Sequence, residues 1–143
     1  QGAIVTSVEL LKKVIEVALI PGNMVGYVMK LGMVDKVIVG ADRILRDGHV
    51  INKIGTYTIA VLAKEHGIPF YVAAPWSTFD LETRPEEVVI EERDESEVTE
   101  IAGVRIAPQG VKVFNPAFDI TPPEYVSAII TERGVFKPPY RFR

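Results

Sequence analysis

Two short apolar runs bounded by glycine or proline constrain the fold of this chain more than any other feature. Residues 36–40 and 69–74 read as strands, and residues 53–66 between them have helical spacing and end before Gly67. A strand–helix–strand order implies a crossover connection and parallel strands. Nearly continuous apolar strands are typical of a buried parallel sheet. We therefore predict an α/β fold that is Rossmann-like and doubly wound, with a mostly parallel sheet and helices on both faces.

The segments before the first strand predict further elements. Residues 6–13 read as a helix capped by Thr6 or Ser7, and residues 16–20 as a short buried strand. Asn23 can cap a helix over 24–31 that Gly32 ends. Asp47-Gly48 is a tight-turn dipeptide.

The second half of the chain carries weaker signals. Residues 83–100 are strongly acidic and read as a solvated surface segment with one short strand near 88–91. Strands are predicted at 104–107 and 111–114, a short helix at 125–131, and an extended, packed tail at 137–143. With 143 residues, 48% of them apolar, the chain is long enough for one domain with its own core.

Composition excludes several classes of function. The net charge of −3 argues against a nucleic-acid partner, because no basic excess exists to neutralise phosphates. The chain has no cysteine, so disulfides and thiolate chemistry are absent, and its two scattered histidines predict no metal site. No run reaches the roughly 18 apolar residues of a membrane span.

Asp42 is the first candidate for chemistry. Ligands bind at the carboxyl ends of strands in open parallel sheets, and Asp42 follows the strand at 36–40 after the small residues Gly40 and Ala41. A partly desolvated carboxylate there could take up and release a proton near neutral pH. The competing interpretation is that Asp42 caps a turn or pairs with Arg43.

Asn52 and Lys53 are the second candidate. They read as the opening of the next helix, where free backbone N–H groups and a lysine charge would form a phosphate cradle. An ordinary helix start is the alternative. Two further features are open: Trp76 and Phe79 either line an apolar pocket or pack as ordinary aromatics, and the pair Glu91-Glu92 favours a solvated face over an acid/base pair.

The motifs at these candidate sites resemble one superfamily, which joins methylthioribose-1-phosphate isomerases, ribose-1,5-bisphosphate isomerases and the regulatory subunits of translation initiation factor 2B. The resemblance rests on Gly40-Ala41-Asp42-Arg43-Ile44 and Asn52-Lys53-Ile54-Gly55-Thr56-Tyr57 and extends over the whole chain. Other matching segments are residues 1–3, 69–75, 77–80, 91–93, 115–122 and 129–134.

Details within these motifs resemble the methylthioribose branch: Asp42 followed by Arg43, the stretch 74–80, and the segment 115–122. This resemblance implies an aldose–ketose isomerase of methionine salvage that acts without metal or organic cofactor. It implies Asp42 as catalytic residue and Gln1, Asn52 and Lys53 as substrate-binding residues. It also implies a cytoplasmic homodimer that binds a small sugar phosphate.

The resemblance leaves two alternatives open, a regulatory subunit like those of initiation factor 2B and a ribose-1,5-bisphosphate isomerase. Members of the superfamily also use a cysteine and an arginine-bearing loop upstream of the region that this chain matches. We therefore expect residues 1–143 to form one C-terminal Rossmann-like catalytic domain, without the N-terminal helical domain that completes the site. Pro21-Gly22 departs from the Thr-Asp of many relatives, so no role is assigned to that loop.

Overall fold

The computed structural model describes the backbone of residues 2–143 and the side chains of residues 5–143. The helices are α1 (Gly2–Lys12), α2 (Val25–Lys30), α3 (Thr56–Glu65) and α4 (Ser96–Thr99). The strands are β1 (Val37–Val39), β2 (Arg43–Leu45), β3 (Val50–Lys53), β4 (Phe70–Ala73), β5 (Phe79–Asp80), β6 (Glu100–Ile101), β7 (Val104–Arg105), β8 (Phe118–Thr121), β9 (Ala128–Thr131) and β10 (Gly134–Phe136).

The first sheet has the strand order β1-β4-β9-β10. Strands β1, β4 and β9 are parallel, and β10 runs antiparallel to β9. The carboxyl ends of the three parallel strands therefore share one edge of the sheet, which is where ligands bind in folds of this class. The α/β class and the mostly parallel sheet are confirmed.

The second sheet has the order β5-β2-β3-β8 and was not predicted. Its centre is a hairpin in which β2 and β3 are joined by residues 46–49, and the Leu45 N–H donates a 2.9 Å bond to the His49 carbonyl. Gly48 lies in this connection with φ +90°, a conformation that favours glycine. The predicted turn at Asp47-Gly48 is confirmed, and it connects strands β2 and β3, which the sequence did not predict.

A single apolar cluster supports both sheets. Phe70, Val72 and Ile129 contribute from the first sheet and Ile44 and Val50 from the second, all at most 1% exposed. The predicted extended tail is confirmed as a packed segment, because Tyr140 and Phe142 are buried against this cluster.

Several predicted elements are correct in kind and shifted in position. The strands at 36–40 and 69–74 are confirmed as β1 and β4, each slightly shorter. The helix at 6–13 is α1, which already begins at Gly2, so the predicted caps at Thr6 and Ser7 are wrong. The helix at 24–31 is α2, ended by Gly32 as predicted, but Asn23 makes no capping side-chain bond.

The predicted strand at 16–20 is wrong. This segment forms no strand, and Leu19 is 67% exposed. An apolar run forms a strand only when a neighbouring strand pairs with its backbone, and none of the described residues does so here. Strand β1 does form, at the edge of the first sheet. Its Ile38 side chain is 66% exposed, so only the opposite face of this strand is packed against the core.

The predicted helix at 125–131 is also wrong, because Ala128–Thr131 is the central strand β9. Its β-branched residues favour a strand, and pairing with β4 decides the outcome. The strands predicted at 88–91 and 111–114 do not form, whereas that at 104–107 survives as the two-residue β7. In their place, backbone bonds tie the stretch 91–93 to 115–117. Within residues 2–143, no helix combines the length and apolarity needed to cross a bilayer.

Candidate functional site

The hairpin of the second sheet brings Asp42 beside Asn52. Arg43 pairs with Ile51, and the Asp42 N–H donates a 2.9 Å hydrogen bond to the Ile51 carbonyl. The backbone of Asp42 is therefore fixed against Ile51, one residue before Asn52 on β3. Asp42 is exposed, so the partial desolvation expected there is absent from this chain alone.

Asn52 is held in a defined orientation by Thr56. The Thr56 hydroxyl donates to the Lys53 carbonyl at 2.7 Å, and the Asn52 amide nitrogen donates to the same hydroxyl at 3.0 Å. Because a hydroxyl has one hydrogen, Asn52 must present its nitrogen to Thr56. Its side-chain oxygen is then available as an acceptor at the surface of the site.

The predicted helix-end cradle is wrong in its mechanism. Asn52 and Lys53 end β3, and α3 begins at Thr56 after Gly55, which has φ +101°. The N-terminus of α3 already holds an anion from the same chain, the Asp119 carboxylate. It accepts bonds from the N–H groups of Gly55 at 2.8 Å and Tyr57 at 3.1 Å. The N–H groups of Gly55 and Tyr57 are therefore already occupied by a carboxylate of the same chain.

Asp119 was missed as a site residue. It lies directly opposite Asn52 in the β3–β8 ladder, although 67 positions separate the two in the sequence. The only signal available was that residues 115–122 belong to the motif set of the superfamily. No local pattern shows that this carboxylate serves a helix more than sixty residues earlier.

The acidic segment approaches the site at Lys53. Hydrogen bonds from Arg93 lower the pKa of Glu97, and the charges of Arg93 and Lys53 lower it further. Arg93 binds Glu97 through three contacts of 2.6–2.9 Å. Lys53 is therefore close enough for its charge to act on Glu97, although the Lys53 side chain is exposed.

Arg43 lies near Asp80, so the competing interpretation that it pairs with Asp42 is wrong. Its guanidinium lies 3.6 Å from Asp80, not in an ion pair with Asp42. Hydrogen bonds from the side chain and backbone of Thr83, aided by the Glu82 N–H and the Arg43 charge, hold the pKa of Asp80 below its ordinary value. Asp42 is consequently left without Arg43 as a salt-bridge partner among the described residues.

A cleft of about 230 Å³ adjoins Asp42. Glu91, which is exposed as predicted, lines this cleft together with Asp42 and is therefore a further candidate residue. The apolar lining of the cleft comes from Ile51, Phe118 and residues 88–90.

Trp76 and Phe79 belong elsewhere, to an aromatic cluster with the tail. Their rings stack at 4.4 Å, and Phe142 packs edge-on against both. This favours ordinary aromatic packing over a substrate pocket. Gln1, the remaining predicted substrate-binding residue, lies outside the described residues.

Comparison with known proteins identifies the family to which the chain is similar. A sequence model described as the Initiation factor 2 subunit family matches residues 1–138. Methylthioribose-1-phosphate isomerase of Carboxydothermus hydrogenoformans is 60% identical over 142 residues, which are 99% of this chain and 41% of that protein. The enzyme of the same name from Thermosipho africanus is 62% identical over 141 residues. The chain thus spans about two fifths of the length of these curated relatives.

The solved structures that are similar to this chain include both initiation factor proteins and a methylthioribose 1-phosphate isomerase. The translation initiation factor eIF-2B subunit delta from A. fulgidus is 61% identical, with a TM-score of 0.90 over 94% of this chain and 39% of its own. The 5-methylthioribose 1-phosphate isomerase of Pyrococcus horikoshii is 53% identical, with a TM-score of 0.85 over 88% of this chain and 35% of its own. An initiation factor eIF-2B from the same organism is more distant, at 38% identity and a TM-score of 0.77.

Proposed function

Because the chain belongs to the Initiation factor 2 subunit family, and because its hairpin fixes Asp42 against the strand that carries Asn52 and Lys53, we propose that it forms the catalytic domain of a methylthioribose-1-phosphate isomerase. The reaction converts 5-methylthioribose 1-phosphate to 5-methylthioribulose 1-phosphate in methionine salvage. The hairpin is the observation that carries the proposal, because it joins the proton-handling and ligand-binding candidates in one place.

The chemistry follows from the substrate. The phosphate on C1 locks the sugar as a ring, so the bond between C1 and the ring oxygen must break. The ring oxygen then gains a proton, the hydrogen on C2 moves to C1 together with its bonding electron pair, and the C2 hydroxyl loses its proton to become the ketone. A positioned carboxyl group can supply the first proton and accept the last. Asp42 takes this role.

Asn52 and Lys53 bind the substrate. The Asn52 side-chain oxygen, left free by the bond of its nitrogen to Thr56, accepts a hydrogen bond from a sugar hydroxyl. The exposed Lys53 ammonium pairs with the 1-phosphate. Gln1 is assigned to the same ligand on the resemblance of its motif alone.

The remaining part of the site lies outside this chain. Asp42 is exposed here, whereas proton transfer benefits from a site that excludes water. We assign its cover to the N-terminal helical domain of the longer relatives, with residues 1–143 as the C-terminal domain of a cytoplasmic homodimer. The domain needs neither metal nor organic cofactor for the steps above.

A chimera tests the activity. This chain replaces the matching 41% of the Carboxydothermus hydrogenoformans relative, and conversion of methylthioribose 1-phosphate to the ketose is followed by NMR. Turnover that requires the inserted chain supports the isomerase. A folded chimera that binds the sugar phosphate without converting it supports the second candidate, a regulatory subunit, which the 61% identity to the A. fulgidus subunit favours.

A further inference from the structure

The tail after β10 alternates buried aromatic and exposed basic side chains. Tyr140 and Phe142 are 7% and 5% exposed, whereas Arg141 and Arg143 are exposed. This period of two is that of an extended chain, in which successive side chains point to opposite sides. The Phe142 N–H donates a 3.0 Å bond to the Arg46 carbonyl, which fixes the tail against the loop between β2 and β3. The two tail arginines are therefore presented on one side of a fixed backbone.

Two clefts of about 290 and 660 Å³ adjoin this tail. Arg141 and Arg143 line both, Lys137 lines the smaller one, and Arg46 lines the larger one. We call the two clefts together the tail groove. Asp47 is the one carboxylate side chain in this lining, so cations outnumber anions along the groove.

The four cations of the tail groove carry no ion pair with the side chains that the structure describes. Within residues 5–143, no side-chain carboxylate lies within 4 Å of Arg46, Lys137, Arg141 or Arg143. The chain as a whole has a net charge of −3, so the field at the groove is opposite in sign to the overall charge. Such a surface attracts an anionic partner.

The shape of the tail groove indicates which kind of anion it fits. Arg141 and Arg143 are two positions apart on an extended backbone, a spacing that matches every second side chain of another extended chain. Guanidinium groups bind carboxylates through two parallel hydrogen bonds. A nucleic acid is disfavoured, because the rest of the chain is net acidic and repels a long polyanion. We infer that the tail groove binds an extended acidic segment of a partner protein, with carboxylates at alternate positions facing Arg141 and Arg143.

The tail groove is separate from the proposed isomerase site. Arg46 directly follows β2 and Asp42 directly precedes it, so the two residues lie at opposite ends of this strand. The inference therefore goes beyond the proposed function and does not depend on it.

The test adds a synthetic hexapeptide of alternating glutamate and serine to the chain and follows the amide NMR signals of residues 46 and 140–143. These signals should shift with this peptide and not with one in which glutamine replaces glutamate. The double variant Arg141→Gln/Arg143→Gln should weaken binding by about tenfold, because two charge-assisted contacts are lost. Arg105→Gln is the matched control, since Arg105 is exposed and does not line the groove. It should bind the peptide as the unmodified chain does.

Three results would overturn the inference. The first is the absence of any shift at low ionic strength, where attraction between exposed charges is strongest. The second is equal binding of the peptide by the double variant and the unmodified chain. The third is tighter binding of an RNA hexanucleotide or of inorganic triphosphate than of the peptide, which would make the groove a phosphate site.

Discussion

The Asp119 carboxylate accepts a 2.8 Å hydrogen bond from the backbone N–H of Gly55, which lies 64 residues earlier in the chain. This contact joins β8 to the first turn of α3 and fixes the segment that carries Asn52 and Lys53. Glycine suits position 55 because φ there is +101°, a backbone conformation that other residues adopt only with strain.

Replacing Asp119 by Asn should destabilise the chain by about 1–2 kcal/mol, because charge-assisted bonds to a helix N-terminus are lost. Urea denaturation followed by circular dichroism measures the free energy of unfolding. Asp35→Asn is the control, since Asp35 is exposed ahead of β1. Equal stability of the two variants would show that the contact at α3 contributes nothing.

Gly48→Ala should destabilise the chain more than Gly32→Ala. Both glycines have positive φ, +90° and +70°, so both substitutions strain the backbone by about 1–2 kcal/mol. At Gly48 an added Cβ would also lie 2.5 Å from the Tyr140 ring, whereas at Gly32 it meets nothing within 4 Å. Denaturant midpoints of the two variants check the order, and a larger loss for Gly32→Ala would refute the packing of the tail.

The buried Tyr140 should make stability fall at alkaline pH. Burial raises the pKa of Tyr140 to about 12 from an ordinary 10.0, and its hydroxyl donates to the Val126 carbonyl at 2.8 Å. A pKa raised on folding contributes stability that is complete below pH 10 and is lost as the pH rises from about 10 to about 12. The free energy of unfolding of Tyr140→Phe should therefore fall less steeply than that of the unmodified chain between about pH 10 and about pH 12.

The control for this measurement is Tyr27→Phe, because Tyr27 is 61% exposed. The free energy of unfolding is measured between pH 9 and pH 12 for both variants. If the unmodified chain and Tyr140→Phe decline in parallel over this range, ionisation of Tyr140 is not linked to unfolding.

Lys53→Met should weaken substrate binding in the chimera while leaving the protein folded. A charge-assisted bond to phosphate contributes about 1.5–3 kcal/mol, which corresponds to a rise in KM of about 10- to 100-fold. Steady-state kinetics measure KM and kcat separately, with Lys112→Met in an exposed loop as the control. An unchanged KM would remove Lys53 from the site.

The sequence predicted strands β1 and β4 of the first sheet and no strand of the second sheet. Strands β1 and β4 are apolar and bounded by clear turn signals, so local pattern was sufficient. Strand β3 carries Asn52 and Lys53, polar residues that read as a helix start, and only pairing with β8 makes them a strand. Strand β9 was read as a helix for the same reason, since its parallel neighbour is far away in the sequence.

The candidate site shows the same division. The place of Asp42 after a strand was predictable from local pattern, and the hairpin fixes it against Ile51, one residue before Asn52. The bonds of Asp119 to α3 and the place of Glu91 in the cleft beside Asp42 were not, because they depend on contacts across the fold. The anion expected at α3 exists, but it is the chain's own Asp119.

The most direct test of the central claim is kcat of Asp42→Asn in the chimera, compared with Asp35→Asn. Removal of a general acid–base group lowers turnover by about 10²- to 10⁴-fold, and binding of the sugar phosphate should persist because Asn52 and Lys53 remain. We expect this loss in Asp42→Asn and near-unmodified turnover in Asp35→Asn. Turnover in Asp42→Asn equal to that of the unmodified chimera would contradict the catalytic role of Asp42.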